Sequence, residues 1–179
     1  MRTQALILFG IVFTATAIAK DFIVDLTQGK ETNGIFVMEQ QDTVEVRLDE
    51  TPSTGFKWHV ANQYVNHIQF LNLLDSQYIP NEQPEISEED EENEETETPV
   101  IGGAMGAAGV RTFTFVAQRT GEQRLHLVNA RSWEVQGIIG QDGEVDIEKA
   151  KELKIQYTYK PVDFIIKETS VKKSKVFLA

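Results

Sequence analysis

Apolar and polar residues alternate along most of the chain beyond its first 20 residues. In residues 43–48 the apolar side chains of Val44, Val46 and Leu48 fall on one face. Because successive side chains of a strand point to opposite faces, a period of two predicts half-buried β-strands. The same alternation recurs at 112–115, 124–127 and 153–159, and further short apolar runs lie at 22–26, 35–38, 56–60, 68–74 and 162–166.

Residues that favour turns separate these apolar runs, at 28–30, 33–34, 40–42, 51–55, 119–122 and 141–143. Many short strands with turns between them are typical of a β-sandwich or a β-barrel. One short helix is predicted at 145–152, where helix-forming residues carry opposite charges three positions apart. We therefore expect an all-β fold that contains one helix of at most two turns.

The N-terminus departs from this pattern. A basic start is followed by an apolar run at 5–18 that ends in the small-x-small motif Ala17-Ile18-Ala19. The run is shorter than the about 20 apolar residues of a membrane span, and this order of features is typical of a secretory signal peptide. We predict a signal peptide at 1–19 and a single domain at 20–179, with an uncleaved anchor as the alternative. The protein is then expected in the secretory pathway, secreted or within lysosome-like vesicles, and free of the membrane after cleavage.

Charge is distributed unevenly along the chain. Residues 82–97 hold ten of the 28 acidic residues and no basic one, whereas the remaining 18 acids are nearly balanced by 17 bases. The net charge of −11 argues against binding to nucleic acid. Proline and mutual repulsion of the acids predict a disordered acidic insert at 78–99, for which a loose calcium site is the alternative. Residues 168–179 form a basic C-terminal tail.

The residue types present exclude several classes of active site. Cysteine is absent, which excludes disulfides, a thiolate nucleophile and a cysteine-bound zinc. None of the three histidines, His59, His67 and His126, belongs to a Gly-x-Ser-x-Gly or a His-Glu-x-x-His motif. We therefore expect a protein that is not an enzyme and that has no catalytic residues, no metal and no cofactor.

Three short segments carry the functional prediction. The first reads Thr51-Pro52-Ser53-Thr54-Gly55-Phe56-Lys57-Trp58, in which proline restricts φ and glycine permits a positive φ beside two hydroxyls. The second is Gly106-Ala107-Ala108-Gly109, whose small side chains let another backbone approach closely. The third is Arg131-Ser132-Trp133, and Arg and Trp are favoured as interface anchors. Taken singly, the three are also consistent with a tight turn, a flexible connector and a capped strand end.

In this order, the segments resemble the chagasin family of protein inhibitors of papain-like cysteine peptidases. The family's pattern is Asn-Pro-Thr-Thr-Gly-Tyr/Phe-x-Trp, then Gly-x-Gly-Gly a few residues before a Phe (here Phe113), then Arg-Pro-Trp. The resemblance covers about residues 21–159. Four positions depart from the pattern: Thr51 replaces Asn, Ser53 replaces Thr, Ala108 replaces Gly and Ser132 replaces Pro. Without proline at Ser132 the third loop is less restricted in φ.

The resemblance implies an immunoglobulin-like antiparallel β-sandwich of about seven to eight strands, with the three loops at one end. It also implies a tight-binding, reversible inhibitor of papain-like (clan CA) cysteine peptidases whose loops wedge into and block the active-site cleft. By analogy, the peptidase-binding residues are Thr51, Pro52, Ser53, Thr54, Gly55, Phe56 and Trp58 in the first loop, Gly106, Ala107, Ala108 and Gly109 in the Gly-rich loop, and Arg131, Ser132 and Trp133 in the third loop.

We expect a monomer whose partner is such a peptidase, either endogenous or from a host. The alternative is a secreted or vesicular immunoglobulin-like binding module, such as an adhesin or a peptidase cargo receptor. A module of that kind would bind through a sheet face and not through this loop end.

Overall fold

The alternating segments form two packed β-sheets in the computed structural model, which describes residues 19–31, 34–81 and 108–169. Two helices, α1 (Ser132–Ile138) and α2 (Ile147–Glu152), lie between the last two strands, and Pro52–Thr54 and Ala61–Val65 are short 3-10 helices. The strands in these ranges are β1 (Asp21–Asp25), β2 (Ile35–Glu39), β3 (Thr43–Glu50), β4 (Phe56–Val60), β5 (Leu71–Pro80), β6 (Gly109–Ala117), β7 (Gly121–Arg131) and β8 (Thr158–Lys167).

The strands divide equally between the sheets. Sheet A has the order β1-β3-β6-β5 and sheet B has the order β2-β8-β7-β4. Four of the six strand pairs are antiparallel, whereas β1 runs parallel to β3 and β2 runs parallel to β8. The β1–β3 pair is parallel because the chain leaves sheet A after β1, adds β2 to sheet B and returns as β3. The predicted antiparallel β-sandwich of seven to eight strands is confirmed, with parallel pairing only at these two edges of the described sheets.

The main core lies between the sheets and uses the side chains that the alternation placed inward. Val44, Val46 and Leu48 of β3 are fully buried. They belong to one cluster with Phe115 of β6 and Leu127 of β7. Burial of a side chain of this size contributes about 1.5–3 kcal/mol, so these strands supply much of the stability of the sandwich.

A second apolar cluster covers the outer face of sheet B. Val128 and Ala130 of β7 pack there against Val135 and Ile138 of α1 and Ala150 of α2, and all five are buried. The helices therefore form a third layer on sheet B, next to the strand that ends at the third predicted loop.

The structure differs from the sequence prediction around these helices. Helix α1 was not predicted, and α2 begins two residues later than the predicted helix. The predicted strand at 153–159 becomes β-structure only at Thr158. Lys154 has a positive φ of 55°, and Ile155 donates its backbone N–H to the Ala150 carbonyl at 2.9 Å, so this segment closes the end of α2. Ile155 and Tyr157, two residues apart, are both partly buried against the helical layer. This burial explains why apolar and polar residues alternate here although the segment is not paired as a strand.

Several sequence predictions fall outside the described residues. These include 1–18 of the predicted signal peptide, 82–99 of the predicted acidic insert and 170–179 of the predicted tail. The insert was predicted to begin at Tyr78, but β5 continues through Pro80, so its first three residues belong to the strand. Across 19–31, 34–81 and 108–169, no helix is long and apolar enough to span a membrane.

Candidate functional site

The first predicted loop is a single 3-10 turn with an exposed tip. Pro52 begins the turn, and Gly55 ends it with a left-handed φ of 78°. The Thr51 carbonyl accepts hydrogen bonds from the Thr54 backbone N–H at 3.2 Å and the Thr54 hydroxyl at 2.7 Å. Ser53 and Thr54 are both exposed. The restricted φ of proline and the positive φ of glycine therefore give the loop one defined shape.

Trp58 anchors this loop from inside the sandwich. Only 7% of its surface is exposed, and its indole Nε1–H donates to the Asp49 carbonyl at 2.7 Å. Its backbone N–H donates to the Glu50 carboxylate at 2.8 Å. Trp58 was grouped with the peptidase-binding residues on sequence, but its burial gives it a supporting position below the loop.

The third predicted loop is a junction between a strand and a helix. Arg131 is the last residue of β7, and Ser132 and Trp133 are the first residues of α1. The Arg131 guanidinium lies 3.4 Å from the Glu134 carboxylate, one turn into the helix. Trp133 is 75% exposed. Because α1 packs its Val135 and Ile138 side on sheet B, Trp133 is held on a fixed element and points away from the core.

The first and third segments meet in one surface. Phe56 and Arg131 are paired between β4 and β7, and the Arg131 guanidinium lies 5.2 Å from the Phe56 ring centroid. A Cβ atom built on Gly55 would lie 4.0 Å from the Trp133 ring. The tip of the first loop and the start of α1 are thus neighbours at one end of sheet B, although 75 or more residues separate them in sequence.

The Gly-rich segment is only partly described. Gly106 and Ala107 lie outside the described residues, and Ala108 is exposed. Gly109 was predicted as a loop residue but is the first residue of β6, paired with Glu50 and Pro80. A Cβ atom on Gly109 would lie 2.4 Å from the Ile79 carbonyl oxygen and 2.7 Å from the Tyr78 ring. Glycine is needed here because the neighbouring strand leaves no room for a side chain.

A buried ion pair joins the bases of the first loop and the Gly-rich segment. The Glu50 carboxylate accepts from Arg111 Nη2 at 2.6 Å, and Glu50 immediately precedes the first loop. Neither residue is among those predicted from the sequence. A signal was present, because Glu50 continues the inward-facing series of Val44, Val46 and Leu48 in β3 and needs a partner there.

Two histidines lie elsewhere in the described sandwich, each beside a tyrosine. Burial lowers the pKa of His59 and of His126. Their hydrogen-bonding neighbours are tyrosine hydroxyls, Tyr64 at 3.2 Å from His59 Nδ1 and Tyr159 at 2.5 Å from His126 Nδ1. A groove of about 410 Å³ opens beside His126, five residues or about 17 Å along β7 from Arg131. No group of three or more His, Cys, Asp or Glu suited to a metal ion occurs in the described parts of the chain.

Comparison with known proteins gives a family match. A family model described as Chagasin family peptidase inhibitor I42 matches residues 37–148. No curated protein sequence matches the chain significantly.

Among solved structures, the chain is similar to the crystal structure of the cysteine protease inhibitor EhICP2 from Entamoeba histolytica. The two share 14% identity with a TM-score of 0.48, over 82% of this chain and 97% of that chain. The solution structure of Amebosin shares 16% identity with a TM-score of 0.46, over 80% of this chain and 97% of that chain. The structure of PbICP-C in complex with falcipain-2 shares 12% identity with a TM-score of 0.37, over 80% of this chain and 99% of that chain.

The family match covers all three motifs, since it runs from β2 into α2. It confirms the resemblance drawn from the first, second and third segments. Members of this family inhibit peptidases and are not enzymes. Because the match spans well over half of the 179 residues, the chain belongs to the chagasin family of peptidase inhibitors.

Proposed function

We propose that this protein is a tight-binding, reversible inhibitor of papain-like (clan CA) cysteine peptidases. The observation that carries the proposal is the single surface formed by Gly55, Phe56, Arg131 and Trp133. Two separate motifs of a peptidase-inhibitor family converge there, and one of them presents a tryptophan that is 75% exposed. Exposed Trp and Arg side chains that meet in one patch are the usual anchors of a protein interface.

In this proposal the three segments wedge into the active-site cleft of the peptidase. Ser53 and Thr54 at the tip of the first loop lie nearest the catalytic residues of the target. Residues 106–108 lie along the cleft on one side and make backbone hydrogen bonds as a substrate strand does, and Gly109 anchors the end of this segment in β6. Arg131 and Trp133 pack on the other side. Three contacts of this kind bury about 800 Å² on each partner, the usual size for a protease–inhibitor pair.

The shape of the first loop explains why the inhibitor would block the cleft without being cleaved. The two hydrogen bonds to the Thr51 carbonyl and the one from the Gly55 N–H to the Pro52 carbonyl, at 3.0 Å, curl the backbone at Pro52–Thr54. A substrate segment is bound in an extended form, so the curled tip does not present a peptide bond for attack. The turn is also formed before binding, which reduces the ordering entropy lost on association.

A titration of active papain with the chain from Lys20 onward tests this function. We expect stoichiometric loss of papain activity, recovery of activity on dilution and an intact inhibitor by mass spectrometry. A serine peptidase assayed in parallel should keep its activity. If papain and other papain-like peptidases stay active, or simply digest the chain, the proposal is wrong and a binding module becomes the better hypothesis.

We also propose that the protein acts as a monomer in the secretory pathway, outside the cell or in lysosome-like vesicles. The support for this location is the apolar N-terminal run with its small-x-small motif at 17–19. Its target is a papain-like peptidase of the same cell or of a host. Fractionation of expressing cells, followed by N-terminal sequencing of the mature protein, tests the location and the cleavage before Lys20.

A further inference from the structure

We propose that Glu50 is a positioning residue that fixes the first loop and the start of β6 relative to each other through Arg111. The inference rests on the proposed function, because its purpose is to hold two peptidase-binding segments in one arrangement. It concerns residues outside the three motifs.

The Glu50 carboxylate is buried, and both of its oxygens accept hydrogen bonds. Glu50 is 2% exposed, and its side chain has no accessible surface in the pair with Arg111. One carboxylate oxygen accepts from Arg111 Nη2 at 2.6 Å, and Arg111 Nε lies 3.2 and 3.1 Å from the two oxygens. The second oxygen also accepts the Trp58 backbone N–H at 2.8 Å. Glu50 therefore bonds to the strand that follows the first loop as well as to β6.

These contacts extend to the Gly-rich segment. Glu50 is paired with Gly109 across β3 and β6, and Arg111 follows Gly109 by two residues. Arg111 lies over the Tyr78 ring at 5.5 Å from its centroid. The same ring occupies the space that a side chain on Gly109 would need. Arg111 is thus held between Glu50 and Tyr78, directly beside the residue at which the Gly-rich segment enters the sheet.

The burial of this charge gives the arrangement its rigidity. A carboxylate without partners is costly inside a protein, whereas one with several charge-assisted hydrogen bonds is tolerated. Any movement of the first loop that separated Trp58 from Glu50, or of β6 that withdrew Arg111, would leave a buried charge partly unpaired. Alternative loop arrangements are therefore disfavoured before the peptidase binds, which favours affinity through pre-organisation.

The test compares Glu50→Gln with a matched control, Asp163→Asn. Both replace a carboxylate by an amide of the same shape and break an ion pair with arginine. Asp163 of β8 forms an ion pair at 2.6 Å with Arg124. Arg124 is in β7, seven residues before Arg131, and is therefore remote from the loop end. Two quantities are measured at a temperature where every variant is folded by circular dichroism: the inhibition constant for papain, and amide hydrogen exchange of the free inhibitor.

We expect Glu50→Gln to raise the inhibition constant about tenfold or more, since one charged partner of a buried pair is lost. Exchange should accelerate at 51–58 and 108–111 and stay unchanged in the rest of both sheets. Asp163→Asn should leave the inhibition constant and these amides unchanged. A wild-type inhibition constant for folded Glu50→Gln overturns the proposal. So does exchange that accelerates evenly over both sheets, which would indicate a purely structural role.

Arg111→Lys keeps the inference testable if Glu50→Gln does not fold. Lysine retains the positive charge but loses the planar fork and the stacking on Tyr78, so the same local acceleration and a smaller rise in the inhibition constant are expected. Unchanged exchange in Arg111→Lys overturns the proposal. If the wild-type chain inhibits no papain-like peptidase, the proposed function fails, but exchange in the free protein still decides whether Glu50 positions these segments.

Discussion

At the scale of single residues, Trp133 makes the sharpest prediction. It is 75% exposed and lies on a helix held against sheet B. Truncation of its side chain should therefore change the stability of the free protein little. We expect Trp133→Ala to weaken binding to papain by about 2 kcal/mol or more, as the loss of a tryptophan anchor does. The measurement is the inhibition constant, with the unfolding midpoint recorded alongside.

Ile147→Ala is the matched control for Trp133→Ala. Ile147 is another large apolar side chain in the helical layer and is 54% exposed, but it belongs to α2 and to none of the three motifs. Its truncation should leave the inhibition constant unchanged. Equal affinity of Trp133→Ala and wild type would remove the start of α1 from the binding surface.

The sequence predicts a site residue best where its backbone φ is unusually restricted or unusually free. Pro52 and Gly55 predicted the turn that forms, because each restricts or extends the allowed φ by its own chemistry. Glu50 and Arg111 were not identified, because a charged residue before a turn is ordinarily solvated. The inward position of Glu50 could be inferred from the alternation in β3, but its partner follows only from the register that places Arg111, 61 positions later in sequence, within 2.6 Å of Glu50.

At the scale of elements, a period of two predicted the strands well and the helical layer poorly. Helix α1 has seven residues, of which only Val135 and Ile138 are buried, and it contains Gly137. Glycine lowers intrinsic helix propensity by about 1 kcal/mol relative to alanine. The helix forms because those two side chains cover Val128 and Ala130 on sheet B. A tertiary contact of this kind leaves no periodic signal in so short a segment.

Helix α2 provides the prediction for this scale. The Asp146 side chain accepts the Lys149 backbone N–H at 3.0 Å and caps the first turn. Asp146→Ala removes this bond, and loss of an N-cap costs about 1 kcal/mol. We expect the free energy of unfolding in urea to fall by that amount, because α2 contributes the buried Ala150 to the second cluster.

Glu148→Ala is the companion variant for the capping prediction. Glu148 is in the same first turn but has a side chain that is 88% exposed, so its replacement should change stability by less than about 0.5 kcal/mol. Neither variant should alter inhibition, since both sites are outside the three motifs. Equal stability of Asp146→Ala and wild type would show that α2 does not need its cap.

At the scale of the whole molecule, stability should fall as the solution becomes acidic. Burial lowers the pKa of His59 and His126 below the ordinary value of 6.5. The unfolded chain therefore binds protons at higher pH than the folded protein, and stability is lost as pH falls from about 6.5 through the folded pKa values. Hydrogen bonds from Lys30 and Arg124 lower the pKa of Asp25 and Asp163 below 3.8. Their stabilisation is present above that value and is lost at still lower pH.

Urea unfolding at pH 7.5, 5.5 and 2.5 measures this dependence. Replacement of His126 by glutamine, which does not titrate, should reduce the loss of stability between the first two values while leaving the loss below pH 4 in place. Stability that is flat from pH 7.5 to 5.5 in the wild-type protein would contradict the lowered pKa of these two histidines.

Deletion of the acidic segment tests whether inhibition depends on the connection between β5 and β6. Residues 82–107 join β5 to β6, and the two ends of this connection already meet: the Asn81 backbone N–H donates to the Ala108 carbonyl at 2.9 Å, and Pro80 is paired with Gly109. Deletion of 82–99 removes all ten clustered acids and leaves 100–107 to join these ends. Because the motif positions at 51–58 and 131–133 and the Glu50–Arg111 pair are all outside the deletion, we expect the inhibition constant to change by less than about threefold.

A chain in which 82–99 is replaced by Gly and Ser at equal length separates the effect of charge from that of length. Charge acts mainly on association and is screened by salt, so any difference from wild type should appear in the association rate at low ionic strength and disappear at high ionic strength. A loss of affinity that is shared by the deletion and the neutral replacement, and that persists in salt, would instead place the acidic segment in contact with the peptidase. The binding surface would then extend beyond the three loops at the end of the sandwich.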